Sequence, residues 1–317
     1  MLYFACTFAA RDNSRHLPPL SQLVVAPAPG GPAERAGLRP GDELLRVGAT
    51  SLAPLSVYEA ANLLQGPAGS VVELTWRPAA GGPPRTAQLV RETITLRAVS
   101  SSLCDAPPAD AAAPPPPRVG YVRVGAFSAA TPPATADAMK RLQAGGAEAL
   151  LLDLRANGGG SFPAGVEVAK QLIPKGVIVY IADSDGVRDI FDANGEVAVP
   201  PSLPVAVLVD RGTASAAEVL AAALRDSGRA RLYGDRTFGK GIIQTTVELS
   251  DGSGVNVTVA KYQTPAGTDI NKVGIQPDAP SPVPDAPRAA EGFCAALAAA
   301  GPDATRTLFP QAKSSAQ

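Results

Sequence analysis

The chain of 317 residues contains one histidine, His16. A Ser-His-Asp site requires a histidine held within the fold next to the nucleophile. His16 lies in a polar stretch that precedes the first recognisable strand. The sequence therefore argues against a histidine-based triad, and a serine nucleophile in this chain would need a different base.

The chain also has few cysteines and a small net charge. Cys6, Cys104 and Cys294 are too few and too widely spaced to indicate a disulfide framework or a zinc site, and they leave the redox compartment open. A net charge of -1 gives no electrostatic basis for binding nucleic acid.

No apolar run approaches the roughly 20 residues that span a bilayer, so we expect no integral membrane segment. The apolar residues 1–10 follow no basic residue and are shorter than a usual signal peptide, so they assign no targeting segment.

A proline- and alanine-rich segment divides the chain. Residues 100–118 are expected to be a linker that forms neither a helix nor a central strand, because proline lacks an amide donor and favours extended backbone. Residues 1–20 are unassigned, 21–99 form a first domain, 119–285 form the core, and 286–317 form a C-terminal helix and tail.

The first domain is predicted to be rich in strands and to contain two helices. Pro32 near the start and Gly37 at the end bracket a short helix. A second helix follows Ser56, with Val57, Ala60, Ala61 and Leu64 forming its buried stripe. The predicted strands are 23–25, 43–47, 71–76 and 87–91.

After the linker, strands and helices alternate, which predicts an α/β core with a largely parallel sheet. Residues 149–154 form a nearly continuous apolar run, as expected for a strand buried on both faces. The predicted strands are 119–124, 149–154, 177–182 and 204–209, and the predicted helices are 133–144, 164–172 and 216–226.

A candidate nucleophile lies where the strand 204–209 passes into a helix. Small residues surround Ser215 and would leave its hydroxyl accessible, and the next amide, that of Ala216, opens the helix. Unpaired amides at a helix N-terminus suit an oxyanion. The alternative is that Ser215 is only an N-cap residue.

A candidate base follows 25 residues later. Lys240 lies between two glycines and is followed by two isoleucines, an unusual setting for a surface charge. A lysine kept away from water loses its proton more easily and can then accept one from a hydroxyl. Gln244 could orient the amine. The alternatives are an exposed turn lysine and a solvated strand glutamine.

Three glycines, Gly158, Gly159 and Gly160, follow the apolar strand 149–154. Glycines allow backbone to approach a ligand closely and supply amide donors. No Lys-Ser/Thr pair follows them, so they do not match a phosphate loop. A second oxyanion donor is the better interpretation.

Together these segments resemble the C-terminal-processing (tail-specific) serine peptidase family. The resemblance spans about residues 22–280, and the serine–lysine spacing is the family's own. It is carried by the motifs Asp153-Leu154-Arg155-Ala156-Asn157-Gly158-Gly159-Gly160, Gly212-Thr213-Ala214-Ser215-Ala216 and Phe238-Gly239-Lys240-Gly241-Ile242-Ile243-Gln244.

The resemblance implies a serine endopeptidase with Ser215 as nucleophile and Lys240 as base, needing no metal or organic cofactor. Gln244 falls on the family's third catalytic position in some members. Asp226 falls on a position implicated in others, and is less favoured because it is expected to end a helix. The amides of Ala216 and of Gly159 or Gly160 would hold the oxyanion.

The same resemblance assigns residues 21–99 to a PDZ domain. A substrate with a free C-terminus would add as a strand beside the second helix, next to Val57, Ala61 and Leu64. The glycine-containing loop that holds the carboxylate and the helical domain usual before the PDZ domain are not recognisable in the sequence, which leaves PDZ function open.

The segments 162–166, 181–190 and 262–267 are most similar to the plant, algal and cyanobacterial members. Those members trim the photosystem II reaction-centre precursor in the thylakoid lumen, so the resemblance implies that location, with the bacterial periplasm as alternative. A monomer is expected. The rival hypotheses are a non-catalytic ligand-binding relative and a PDZ adaptor with an inert core.

Overall fold

The chain divides into two units, Met1–Arg97 and Ala98–Gln317. The computed structural model describes residues 22–23, 27, 31–39, 41–55, 57–92, 98–105, 115–248 and 254–310.

The described part of the first unit is an antiparallel sheet with two helices. Its strand order is β1-β2-β4-β5, and β3 pairs with β2. Trp76, Leu38 and Leu52 are fully buried at its centre. Both predicted helices are confirmed. The elements are β1 (Gln22–Leu23), α1 (Pro32–Arg35), β2 (Glu43–Val47), β3 (Thr50–Ser51), α2 (Val57–Leu64), β4 (Val71–Arg77) and β5 (Arg85–Val90).

The second unit is built on a mixed sheet, in which the described strands have the order β12-β11-β8-β7-β6. β7, β8, β11 and β12 pair in parallel, and β6 runs antiparallel to β7 at the edge. The predicted largely parallel sheet is therefore confirmed. The strands are β6 (Val99–Cys104), β7 (Val119–Val124), β8 (Ala149–Asp153), β11 (Val205–Val209) and β12 (Arg231–Gly234).

Helices cover both faces of this sheet, which explains why β8 and β11 are apolar at successive positions. Leu150 and Leu152 pack in the core that includes α3, α4 and α5, whereas Leu151 packs in the core that includes α6 and α7. None of the helices in the described ranges has the length and apolarity needed to cross a membrane. The helices are α3 (Thr131–Ala144), α4 (Phe162–Lys170), α5 (Ala216–Asp226), α6 (Ala290–Ala300) and α7 (Pro302–Leu308).

An additional antiparallel sheet was not predicted. Its described strands have the order β10-β9-β14-β13. β13 begins two residues after Lys240 and therefore fixes the path of the chain beyond that residue. The strands are β9 (Val177–Asp183), β10 (Gly186–Asp192), β13 (Ile242–Glu248) and β14 (Gly254–Gln263).

The predicted linker 100–118 begins too early. Residues 100–104 belong to β6, which pairs with β7 along its whole length, from Val99 opposite Val124 to Cys104 opposite Val119. This stretch contains no proline and can therefore donate its amides to a neighbour. Of the proline-rich remainder, residues 106–114 lie outside the described residues.

A disulfide joins Cys104, at the end of β6, to Cys294 in α6, with 4.9 Å between their Cα atoms. The interpretation of the cysteines as too scattered to indicate a disulfide framework therefore missed one covalent link. The two residues are 190 positions apart in the sequence, and only the packing of α6 on the sheet brings them together.

We predict that removing this disulfide destabilises the protein. In the chain-entropy model, closing a loop of 190 residues stabilises the fold by about 5 kcal/mol. The double substitution Cys104→Ser/Cys294→Ser should therefore lower Tm by about 10 °C in scanning calorimetry. Reductant should lower the Tm of the wild type and leave that of the double variant unchanged. A wild-type Tm that does not respond to reductant would contradict the presence of the bond in solution.

Candidate active site

Ser215 lies at the junction between β11 and α5. Its backbone has φ 57° and ψ -121°, in the left-handed half of conformational space that non-glycine residues rarely occupy. Such strain is retained where the surrounding structure enforces it, commonly at active sites. Ser215 is half-buried at the helix start, whereas its neighbours Ala214 and Ala216 are buried.

Lys240 lies in the loop that leads into β13 and is half-buried. Its flanking glycines have a steric cause. A Cβ atom at Gly239 would come within 2.9 Å of the Gly274 nitrogen, and one at Gly241 within 2.5 Å of the Asn271 nitrogen. The two glycines thus allow the lysine loop to lie directly against the backbone of residues 271–274.

One carboxylate brings the serine and lysine segments together. The oxygen Oε2 of Glu218, in the first turn of α5, accepts a hydrogen bond from the amide of Ser215 at 2.9 Å and another from the amide of Lys240 at 2.8 Å. The two backbone nitrogens can therefore be no farther apart than the sum of those distances, 5.7 Å. Residues 25 positions apart in the sequence share a single acceptor atom.

The other carboxylate oxygen of Glu218 holds the same loop. It accepts hydrogen bonds from the hydroxyl of Thr237 at 2.5 Å and the amide of Gly239 at 2.7 Å. Glu218 is 0% exposed. Burial raises its pKa, while these hydrogen bonds oppose that shift by favouring the ionised form. Four donors and a buried acceptor make this a structural centre of the site.

Glu218 was not among the site residues predicted from the sequence. The pattern Ser215-Ala216-Ala217-Glu218 has the spacing of a capping box, in which the N3 glutamate accepts from the N-cap amide. That pattern could have identified Glu218 as a capping residue of the helix. It could not have shown that the lysine loop also donates to Glu218, because that loop lies in a distant segment of the sequence.

The glycine loop after β8 contacts the serine directly. A Cβ atom at Gly159 would lie 2.8 Å from Ser215 Cβ and 2.9 Å from the carbonyl oxygen of Ala214. Asn157 ties the loop to the same turn, because its carbonyl accepts from the amide of Ala214 at 2.9 Å. The absence of a side chain at Gly159 therefore keeps the space beside Ser215 open.

The candidate oxyanion donors differ in availability. The amide of Gly159 donates to Oδ1 of Asn157 at 2.9 Å and is not free in this conformation. In the part of the chain that the structure describes, the amides of Gly160 and Ala216 have no acceptor. The geometry therefore favours Ala216 and Gly160 over Gly159.

The first turn of α4 packs against the start of α5. A Cβ atom at Gly165, in the first turn of α4, would lie 3.1 Å from the carbonyl oxygen of Ala216, so the two helices start in close contact. Each N-terminus carries a partial positive charge. Both charges favour negative charge developing on a bound carbonyl oxygen next to Ser215.

The remaining predicted residues are not all brought together. Gln244 lies on β13 and is exposed, and no hydrogen bond links it to Lys240 within the described residues. Nor does a hydrogen bond in the described part of the chain link the Ser215 hydroxyl to the Lys240 amine. Asp226 ends α5, about 15 Å along the helix from Ser215, and pairs with Arg225. Its position agrees with its lower ranking.

The predicted peptide-binding residues of the first unit differ in their exposure. Leu64 is 1% exposed and packs in the core of that unit, so it is not available to a ligand in this structure. Ala61 is half-exposed. The side chain of Val57 lies outside the described residues. Across the described ranges, no group of three or more His, Cys, Asp or Glu side chains is placed to hold a metal ion.

A strained serine at a helix start, held against a lysine loop, is the arrangement expected of a serine peptidase that does not use histidine. The chain belongs to peptidase family S41, which matches residues 118–281. Residues 23–78 match the PDZ domain.

Among individual proteins, the chain is 50% identical over 292 residues to the chloroplastic C-terminal processing peptidase of Tetradesmus obliquus, covering 90% of this chain and 62% of the relative. It is 49% identical over 280 residues to the chloroplastic carboxyl-terminal-processing peptidase 2 of Arabidopsis thaliana, covering 88% of this chain and 53% of the relative. The chain thus spans between half and two thirds of these relatives. A solved photosystem II D1 C-terminal processing protease superposes with a TM-score of 0.82 at 45% identity, covering 97% of this chain and 78% of the other.

We predict that Glu218→Gln lowers peptidase turnover. The glutamine side chain keeps one oxygen acceptor but replaces the other carboxylate oxygen with an NH2 donor. That NH2 group would face other donors: either the amides of Ser215 and Lys240, or the hydroxyl of Thr237 and the amide of Gly239. Losing hydrogen bonds to a charged group costs about 1.5–3 kcal/mol each, so we expect kcat/KM to fall by about 10- to 100-fold.

The control for this substitution is Glu167→Gln, on α4, where an exposed carboxylate pairs with Lys170. An exposed pair contributes about 0–1 kcal/mol, so kcat/KM should stay within about twofold of wild type. Wild-type kinetics for Glu218→Gln would show that the shared carboxylate is not required.

We predict that Gly159→Ala abolishes most activity by placing a methyl group against Ser215. Misplacing catalytic groups by about 1 Å can cost about 100-fold in rate. Gly176→Ala is a matched control, because Gly176 has φ 97°, against 98° for Gly159, but nothing within 4 Å of its added Cβ. Both variants incur the same strain from a positive φ, but only Gly159→Ala also displaces the groups around Ser215, so only it should lose about 100-fold in kcat/KM. Equal activities would refute the steric argument.

Proposed function

We propose that this chain is a serine endopeptidase that cleaves protein substrates near their C-termini, with Ser215 as nucleophile and Lys240 as general base. The observation that carries this proposal is the carboxylate oxygen of Glu218, which accepts from the amides of both residues. A nucleophile and its base must lie within hydrogen-bonding reach of each other, and this shared acceptor keeps their backbones close enough for that contact.

In the proposed mechanism, the Ser215 hydroxyl attacks the carbonyl carbon of the scissile peptide bond. The Lys240 amine, acting as general base, accepts the hydroxyl proton and then returns it to the leaving amine as the peptide bond breaks. Water then hydrolyses the acyl-enzyme, with Lys240 again accepting and returning a proton. Gln244 orients the Lys240 amine once the lysine side chain turns toward the serine.

The negative charge of the tetrahedral intermediate would rest on the carbonyl oxygen of the substrate. The amides of Ala216 and Gly160, together with the N-termini of α4 and α5, supply the positive field at this point. Donors that are fixed before the reaction need no reorganisation as charge develops, which is why such groups contribute strongly to catalysis.

We further propose that the substrate is a photosystem II reaction-centre precursor and that the enzyme acts as a monomer in the thylakoid lumen. The relatives named above support the substrate and a chloroplast location, because two of them are named as chloroplastic C-terminal processing peptidases and one as a photosystem II D1 C-terminal processing protease. The PDZ domain would engage the free C-terminus of the substrate by adding it as a strand.

The test is cleavage of a peptide that ends in the C-terminal extension of such a precursor, followed by mass spectrometry. We predict that wild type cleaves it and that Ser215→Ala and Lys240→Ala each lose at least about 10³-fold in kcat/KM, because nucleophile and base act as a unit. Ser184→Ala and Lys175→Ala, which change exposed residues, should retain wild-type rates.

An amidated version of the same peptide should be cleaved more slowly, because it lacks the carboxylate that the PDZ domain would bind. A Lys240→Ala variant near the wild-type rate would refute the mechanism. No cleavage by wild type, together with no labelling of Ser215 by a serine-directed covalent probe, would favour a non-catalytic binding protein or an inert PDZ adaptor.

A further inference from the structure

A buried ion pair lies at the base of the glycine loop. Asp153, the last residue of β8, is 0% exposed, and Arg155 is 7% exposed. The guanidinium binds the carboxylate through two nitrogens, with Nη2 at 2.7 Å from Oδ2 and Nε at 3.0 Å from Oδ1. This two-point contact fixes the plane of the arginine side chain.

The remaining polar groups of the pair are also satisfied. The hydroxyl of Tyr121 donates to Oδ2 of Asp153 at 2.7 Å, and Arg123 lies 3.7 Å from the same oxygen. Burial would raise the pKa of Asp153, but Arg155 and then Arg123 outweigh that effect and bring it below its ordinary value. Asp153 is therefore ionised at neutral pH.

Arg155 also binds the segment Ala286–Phe293, which leads into and begins α6. Its Nη1 donates to the carbonyl of Ala286 at 3.0 Å, and its guanidinium carbon lies 5.6 Å from the centre of the Phe293 ring. Phe293 stacks on Tyr121 with 4.4 Å between ring centres. The next residue, Cys294, forms the disulfide with Cys104.

The backbone of Arg155 is the start of the loop that reaches Ser215. Its carbonyl accepts from Nη1 of Arg123 at 3.0 Å. Ala156 follows with φ 54°, and its amide donates to Oδ1 of Asp210 at 2.8 Å. Both the side chain and the carbonyl of Arg155 are thus held, so the direction in which the chain enters residues 156–160 is set at this residue.

We propose that Arg155 is a positioning residue for the proposed peptidase reaction: held between Asp153 and the segment Ala286–Phe293, it fixes the loop 156–160 that borders Ser215. This inference rests on the proposed function. It assigns Arg155 no contact with the substrate. Its role is to keep the loop amides in place.

The test compares Arg155→Lys with Arg229→Lys in the full chain. Lysine retains the charge but not the two-point contact. Arg229 is the control because, like Arg155, it is held by backbone carbonyls, those of Leu172 and Leu203 at 2.9 Å. It is half-buried, whereas Arg155 is buried, and it lies beyond the end of α5 that is away from Ser215. We expect Arg155→Lys to lower kcat by about tenfold or more with KM within about threefold, and Arg229→Lys to leave kcat within about twofold of wild type.

Amide hydrogen exchange gives a second measurement that does not need activity. The amides of Ala156, Asn157 and Gly159 are all hydrogen-bonded, so the peptide covering 154–161 reports on the loop. Its exchange should be about tenfold faster in Arg155→Lys and unchanged in Arg229→Lys. Absence of wild-type cleavage would refute the proposed function but leave this measurement valid. If the two variants match each other in exchange or in kcat, the positioning role is overturned.

Discussion

The geometry of the candidate active site depends on a single buried carboxylate. Glu218 begins a helix by accepting from the amide of Ser215, and it holds a loop from a distant part of the chain by accepting from Thr237, Gly239 and Lys240. A carboxylate without exposure to water must have its oxygens hydrogen-bonded. Here that requirement is met only if the serine turn and the lysine loop are both in place, so the folding of the helix start and the assembly of the site are one event.

Steric constraints around this carboxylate account for much of the local sequence. Gly239 and Gly241 allow the lysine loop to lie on residues 271–274, and Gly159 and Gly165 allow the glycine loop and α4 to approach the start of α5. A side chain at any of these four glycines would come closer to a neighbouring atom than ordinary van der Waals contact allows. These positions are glycine because neighbouring segments pack so closely there that a Cβ atom would not fit. Backbone flexibility is not needed to explain them.

Much of this architecture could be predicted from the sequence. The strands β8 and β11 are continuous apolar runs and α5 follows a small-residue turn, so their positions agreed with prediction to within a residue. The small-residue turn around Ser215 and the glycines around Lys240 made both residues candidates, and their spacing added the family resemblance. The strand β6 was missed because its serines have no strong preference, and its pairing with β7 is decided by the neighbouring strand. The disulfide joins residues that only the packed fold brings together.

The finer features of the site could not be inferred from residue order. Whether Gly159 or Gly160 offers a free amide depends on the direction of each backbone group, and Asn157 decides it by accepting from Gly159. Leu64 is a second case. The sequence placed it both on the buried stripe of α2 and among the peptide-binding residues, and its 1% exposure in the packed structure agrees only with the first assignment.

The link between Cys104 and Cys294 has a topological consequence. It closes a covalent ring that contains Ser215, Glu218, Lys240 and the glycine loop, while the termini of the chain lie outside it. A single backbone cut anywhere inside that ring leaves both pieces attached to each other. All parts of the candidate site would therefore stay in one molecule after such a cut.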